Sequence, residues 1–163
     1  MIAKNFKAVL CTGLAVLGLS APVLAATDPL TYSNKLLLDK VTTVAGQTKH
    51  DVVDPSVTHD KVVPGSHMVM VFEYHNNLSQ PIDHFEYNDP IPASLMLADD
   101  SASQFDVSTD GGKTFGKLAT LSVTDAKGTR RAAEAGDVTT VRLAVPQIAP
   151  GASGKIEIHA IVR

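Results

Sequence analysis

Between residues 35 and 163 apolar side chains recur at every second position in short runs, and clusters of Gly, Pro, Asp or Asn close each run. The plainest is His67-Met68-Val69-Met70-Val71-Phe72-Glu73-Tyr74, where Met68, Met70, Phe72 and Tyr74 share one side of an extended chain. That alternation suits a pleated strand with one buried face and does not fit the period of about 3.6 that an amphipathic helix requires. Further runs at 35–44, 83–87, 95–97, 105–108, 115–123, 138–145 and 155–163 bring the count to about eight strands, with turn signals roughly every 8–15 residues. The expected fold is all-β, an antiparallel β-sandwich of about seven to nine strands, because a parallel sheet would need helices between its strands.

The first 25 residues read as a secretory signal peptide. Lys4 and Lys7 precede an apolar run at 8–19, and Val23-Leu24-Ala25 places small residues where a signal peptidase cleaves. The run is shorter than the roughly 20 residues that cross a bilayer, so the mature chain is expected to carry no transmembrane anchor. The expected organisation is a signal peptide at 1–25, a flexible segment at 26–34 and one sandwich domain at 35–163. Cys11 is the only cysteine and is removed with the signal. Disulfides, cysteine zinc sites and thiol nucleophiles are thereby excluded from the mature chain, whose core must rest on burial alone. Without the signal the chain has 12 basic against 17 acidic residues, which argues against nucleic acid as a partner. The single basic pair, Arg130-Arg131, lies in the polar stretch 125–137, read as an exposed loop like 46–61.

Several turns are legible singly. Pro64-Gly65 and Pro150-Gly151 suit type II turns, in which proline fixes φ and glycine takes the positive φ that follows. Asp89-Pro90-Ile91-Pro92 is expected to stop a strand, since neither proline can donate to a ladder, so that pairing ends there or runs along an edge. The segment from Ser108 through Asp110 and Gly112 to Phe115 resembles the Asp-box hairpin of sialidases and other β-propellers, in which Ser and Asp brace a turn and the aromatic packs beneath it. One copy implies a structural hairpin and no sialidase activity.

Candidate ligands were weighed against structural roles. His84, Glu86 and Asn88 share one strand face, opposite Phe85 and Tyr87, and read as a polar exterior. His67, Met68 and Met70 have the soft donors that hold copper(I), although alternation sends both methionines toward the core and His67 away from it. Asp99 and Asp100, with Asp51, Asp54 and Asp60, are hard donors suited to calcium but lack a dense Asp-x-Asp-x-Asp loop. The histidines at 50, 59, 67, 75, 84 and 159 form no zinc-binding pair, and no Gly-x-Ser-x-Gly elbow or phosphate loop is present. The reading is therefore non-catalytic, with no resident cofactor and with copper or calcium as the only metal candidates. Few aromatic residues remain for a carbohydrate platform.

Taken together, Val63-Pro64-Gly65, a strand ending Tyr74-His75-Asn76-Asn77, and Asn88-Asp89-Pro90-Ile91-Pro92 resemble the conserved-repeat family known as domain of unknown function number 11. The 108–115 hairpin, Gly128-Thr129-Arg130, Asp137-Val138-Thr139 and Ile148-Ala149-Pro150-Gly151 extend the likeness to the variant in exported Gram-negative proteins. The resemblance implies an immunoglobulin-like sandwich with a structural or adhesive role in the periplasm, at the cell surface or beyond it. The expected partners are other envelope or extracellular proteins or further copies of the chain. Polymerisation by edge-strand addition is expected to use 26–34 or the last strand. The alternative is a periplasmic copper- or calcium-binding module.

Overall fold

The computed structural model describes residues 28–163. The signal at 1–25, and residues 26–27 of the segment after it, lie outside the described residues. Strand makes up 54% of the described residues and helix 12%, so sheets supply the core. Every strand pairing is antiparallel. Numbered in chain order, one sheet runs β2 (Gln47–Val53), β1 (Leu30–Val44), β3 (His67–Asn76), β10 (Ser153–Val162) and β5 (Leu95–Leu97). A second runs β4 (Ile82–Pro90), β9 (Thr140–Ile148) and β6 (Asp106–Ser108), and β7 (Ser122–Thr124) with β8 (Arg130–Ala132) makes a small ribbon. Two short helices, α1 (Pro55–Thr58) and α2 (Asp99–Gln104), interrupt the strands.

The alternation that defines the strands also builds the core. Met68 and Phe72 of β3 and Ile158 and Ala160 of β10 face Val141 and Leu143 of β9 and Val107 of β6, all buried in one cluster. Phe72 is its hub: its ring stacks 4.7 Å from Tyr87 on the other sheet and 5.8 Å from Tyr32 of β1, with Phe85 and Tyr74 also near. Five of the seven aromatic rings among the described residues thus gather around Phe72. Full burial of each such side chain stabilises the fold by about 1.5–3 kcal/mol. Tyr74 covers Gly154 on the neighbouring strand so closely that a Cβ there would overlap its ring.

The two Pro-Gly turns form as read. Ser66 N–H donates to the Val63 carbonyl (2.9 Å) with Gly65 at φ 86°, and Ala152 N–H donates to the Ala149 carbonyl (3.1 Å) with Gly151 at φ 66°. Other boundaries differ. Strand β1 begins at Leu30, so 30–34 pair with β3 (Leu30 with Asn76, Asn34 with Phe72) and are not a loose segment. The supposed loop at 46–61 contains β2 and α1, and β8 lies within the supposed loop at 125–137. The run at 115–123 is not one strand: Gly116 bridges to Val107, a 3-10 turn covers Leu118–Thr120, and β7 starts at Ser122. Strand β4 continues through Pro90, which pairs with Thr140. The chain turns later, where Leu95 N–H reaches the Pro92 carbonyl (2.8 Å). Pro90 is tolerated because β4 is an edge strand and adjacent N–H groups point to opposite sides; Ile91 N–H faces β9, so the missing one at Pro90 faces the open side.

Candidate functional site

Strand β1 is longer than the sheet it belongs to. Its pairing with β3 stops at Asp39 opposite His67, and from there it continues with β2 alone to the closing pair Val44 and Gln47. Ala45 (φ 50°) and Gly46 (φ 77°) both take positive φ, the two-residue turn whose twist matches a right-handed hairpin. Residues 40–52 therefore form a two-stranded arm, exposed along most of its length. The lower half of β1, 30–37, has β3 on one side and no described strand on the other. Natural edges are usually blunted by charge, proline or a bulge. Here 30–37 contains no proline and one charge, Lys35, whose Nζ is held by Glu73 at 2.6 Å.

Exposed large apolar side chains concentrate on the same element. Among the described residues, all of them except Leu78 fall between Tyr32 and Val63, including Leu36, Val41, Val44 and Val52. Leu78 itself lies beside the start of β1, because Asn77 N–H donates to the Pro29 carbonyl (3.0 Å). The exposed side of β1 connects to the core through Tyr32, which packs on Phe72 and Tyr87, and through Asn34, whose Nδ2 donates to the Tyr87 hydroxyl (3.1 Å). An unpaired backbone edge and an apolar surface thus coincide on one strand.

The copper candidates are divided between faces. Met68 is buried in the core and Met70 packs against it, whereas exposed His67 lies on the opposite face of β3, beside buried Val69 and Val71. His67 there borders a cleft of about 510 Å³ with Asp39, His50, Asp100, Glu157 and His159. The charged groups of this cleft pair off: His50 Nδ1 lies 2.7 Å from Asp39 Oδ2, and His159 Nδ1 contacts Asp100 Oδ2. Among the described residues no three or more His, Cys, Asp or Glu side chains are arranged to hold a metal ion. Of the calcium candidates, Asp99 is exposed at the start of α2, and Asp100 accepts from Ser101 N–H (2.7 Å). Burial raises the Asp100 pKa, and the His159 ring and the Ser101 N–H outweigh it, leaving this carboxyl below its ordinary value. Glu86 and Asn88 face Arg142, whose Nε lies 3.8 Å and 3.4 Å from them and whose guanidinium stacks 3.9 Å from the Phe115 ring. His84, exposed on that strand, has the left-handed φ of 54°.

The turn residues hold backbone. Asp110 accepts from the N–H groups of Lys113 and Thr114 (3.0 Å each) and from the Ser108 hydroxyl (2.7 Å), while Gly112 N–H donates to Ser108 Oγ (2.9 Å). The Thr114 N–H, followed by the Ser108 hydroxyl, holds the Asp110 carboxyl well below the usual range. Asn76 is fully buried and ties 76–80 to the end of β9. Asp89, expected at a strand-ending corner, lies on the inner face of β4, nearly buried, where burial pushes its carboxyl pKa up. Asp39, unnoticed in the sequence, has one buried oxygen with no hydrogen-bond partner among the described residues. Arg131 forms a two-pronged pair with Asp137 (2.7 Å at each contact), so the Arg130-Arg131 pair is no basic patch. No described helix is long and apolar enough to cross a membrane. No family model matches the chain, and no curated protein and no solved structure matches it.

Proposed function

We propose that the chain is an exported, non-catalytic structural or adhesive subunit of a cell-envelope or extracellular assembly, built as an immunoglobulin-like sandwich. The observation that carries this reading is the coincidence of an open strand edge with nearly all exposed large apolar side chains on β1 and the segment after it. Contiguous apolar surface on an exported domain is a mark of a protein-binding face. The signal-like residues 1–25 and the resemblance of 35–163 to the conserved-repeat family support the same address and role.

The last strand and the described part of 26–34, the segments first expected to mediate strand addition, each keep a side without a described strand over part of their length. Strand β10 pairs with β3 along its length and with β5 only at Ala160–Val162, and 30–34 pair with β3 through one edge. The open edge that coincides with exposed apolar side chains is the other side of β1, together with the arm. Photo-crosslinking from an unnatural side chain at Leu36 or Val44 in intact cells tests the role. Discrete crosslinked species at the envelope or in the medium are expected; a chain recovered only as an uncrosslinked periplasmic species would overturn it.

A further inference from the structure

We infer that the partner on the β1 edge is a second copy of this chain, bound by antiparallel pairing of the two β1 strands along 30–37; this rests on the assembly reading above. Strand β2 occupies the lane beside residues 38–44 of β1, on the side away from β3, and the same lane beside 30–37 holds no described strand. An incoming strand of about eight residues fills it, and the Val53 end of β2 limits how far it runs. Two β1 edges brought together antiparallel form a two-fold interface, in which each copy supplies the same surface.

Direction decides in favour of a second copy. Antiparallel pairing carries the arm of one copy past Leu30 of the other, toward the end of the molecule where Asn77 bonds to Pro29 and Leu78 is exposed. Leu78, the one exposed large apolar side chain outside 32–63 among the described residues, then falls beside the partner's arm, with Val41, Val44 and Val52. Charge agrees. Lys35 is the only charged residue in 30–37, and a two-fold antiparallel pairing centred on Ser33 or Asn34 sets it opposite Thr31 or Ser33, both neutral. A strongly charged peptide would find no counter-charges on this edge. Edge and arm together offer about 20 residues per copy, the size of a stable interface.

The test is the association state of the mature chain as its host secretes it, by sedimentation equilibrium up to about 0.5 mM. A dimer is expected, with Leu36→Lys plus Val44→Lys weakening association at least about tenfold and Ala126→Lys in the distant 125–128 turn leaving it unchanged. All three side chains are exposed, so thermal melts should match and exclude misfolding. Because the mature chain has no cysteine, Thr31→Cys, Ser33→Cys and Lys35→Cys provide a second readout: at least one should give a disulfide-linked dimer on oxidation, and Lys127→Cys in the distant turn should not. A dimer indifferent to the double lysine variant overturns the β1 edge and leaves the assembly reading standing. A monomer at all concentrations that still crosslinks to another envelope protein in cells overturns the second copy alone. A monomer with no crosslinks removes both.

Discussion

Asn76 shows how much a single buried amide contributes. Its Nδ2 donates to the carbonyls of Gln80 (2.9 Å), Ile148 (3.1 Å) and Ala149 (3.1 Å), and its Oδ1 accepts from Leu78 N–H (2.9 Å). Alanine there leaves several backbone groups without partners in a site closed to water. Asn76→Ala is expected to lose about 3 kcal/mol of unfolding free energy in urea titrations. Asp89 works in the opposite sense. Its carboxyl pKa is raised by burial, so the stability linked to its proton is present below the unfolded value and is lost as pH rises through the folded one. Asp89→Asn should therefore stabilise the chain by about 1 kcal/mol near pH 7.5, with the advantage shrinking toward pH 4. Equal melting differences at the two pH values would refute this account. Neither role is legible in sequence: an Asn closing a strand and an Asp before a proline both read as turn residues, and burial is set by what packs over them.

At the scale of elements, the hairpin of β1 and β2 has an imperfect turn. Ala45 sits at φ 50°, where its Cβ is strained, in a position that Asn tolerates better. Ala45→Asn is expected to stabilise the arm by about 0.5–1 kcal/mol, read as slower amide exchange across 40–52. Val44-Ala45-Gly46-Gln47 carries no Asn-Gly or Asp-Gly signal, which is one reason β2 reads as loop. The other is physical: both faces of the arm meet solvent, so no buried side imposes alternation on Gln47–Val53. Helix α2 is missed because six residues are too few to display a helical period. The Pro-Gly turns and the 108–115 hairpin are legible because their chemistry is local, the required φ values and acceptors lying within a few residues.

Across the whole molecule, stability should be uneven. Strands β3, β10 and β9 lie inside their sheets and carry the core cluster, whereas the arm has one pairing and little burial. Native-state amide exchange is expected to be slowest in these three strands and fastest in 40–52 at low protein concentration, with protection of 30–37 and the arm rising as concentration increases. Protection of the arm equal to that of β3 in dilute protein would contradict this ordering. The candidate surface belongs to this scale too. The apolar residues of 32–63 are visible in the sequence, but whether they enter the core depends on which strands cover them.

Alternation and turn chemistry by themselves determined that this chain is all-β and antiparallel, and which side chains of its central strands face inward. Those properties are set within a few residues, by the two-residue period of the pleat and by the φ values of Pro and Gly. Only the tertiary structure decided which strands stand at an edge. It also decided that β1 outruns β3 and that β5 covers only the last residues of β10. Register and strand order join residues far apart in the chain, and no local pattern encodes them.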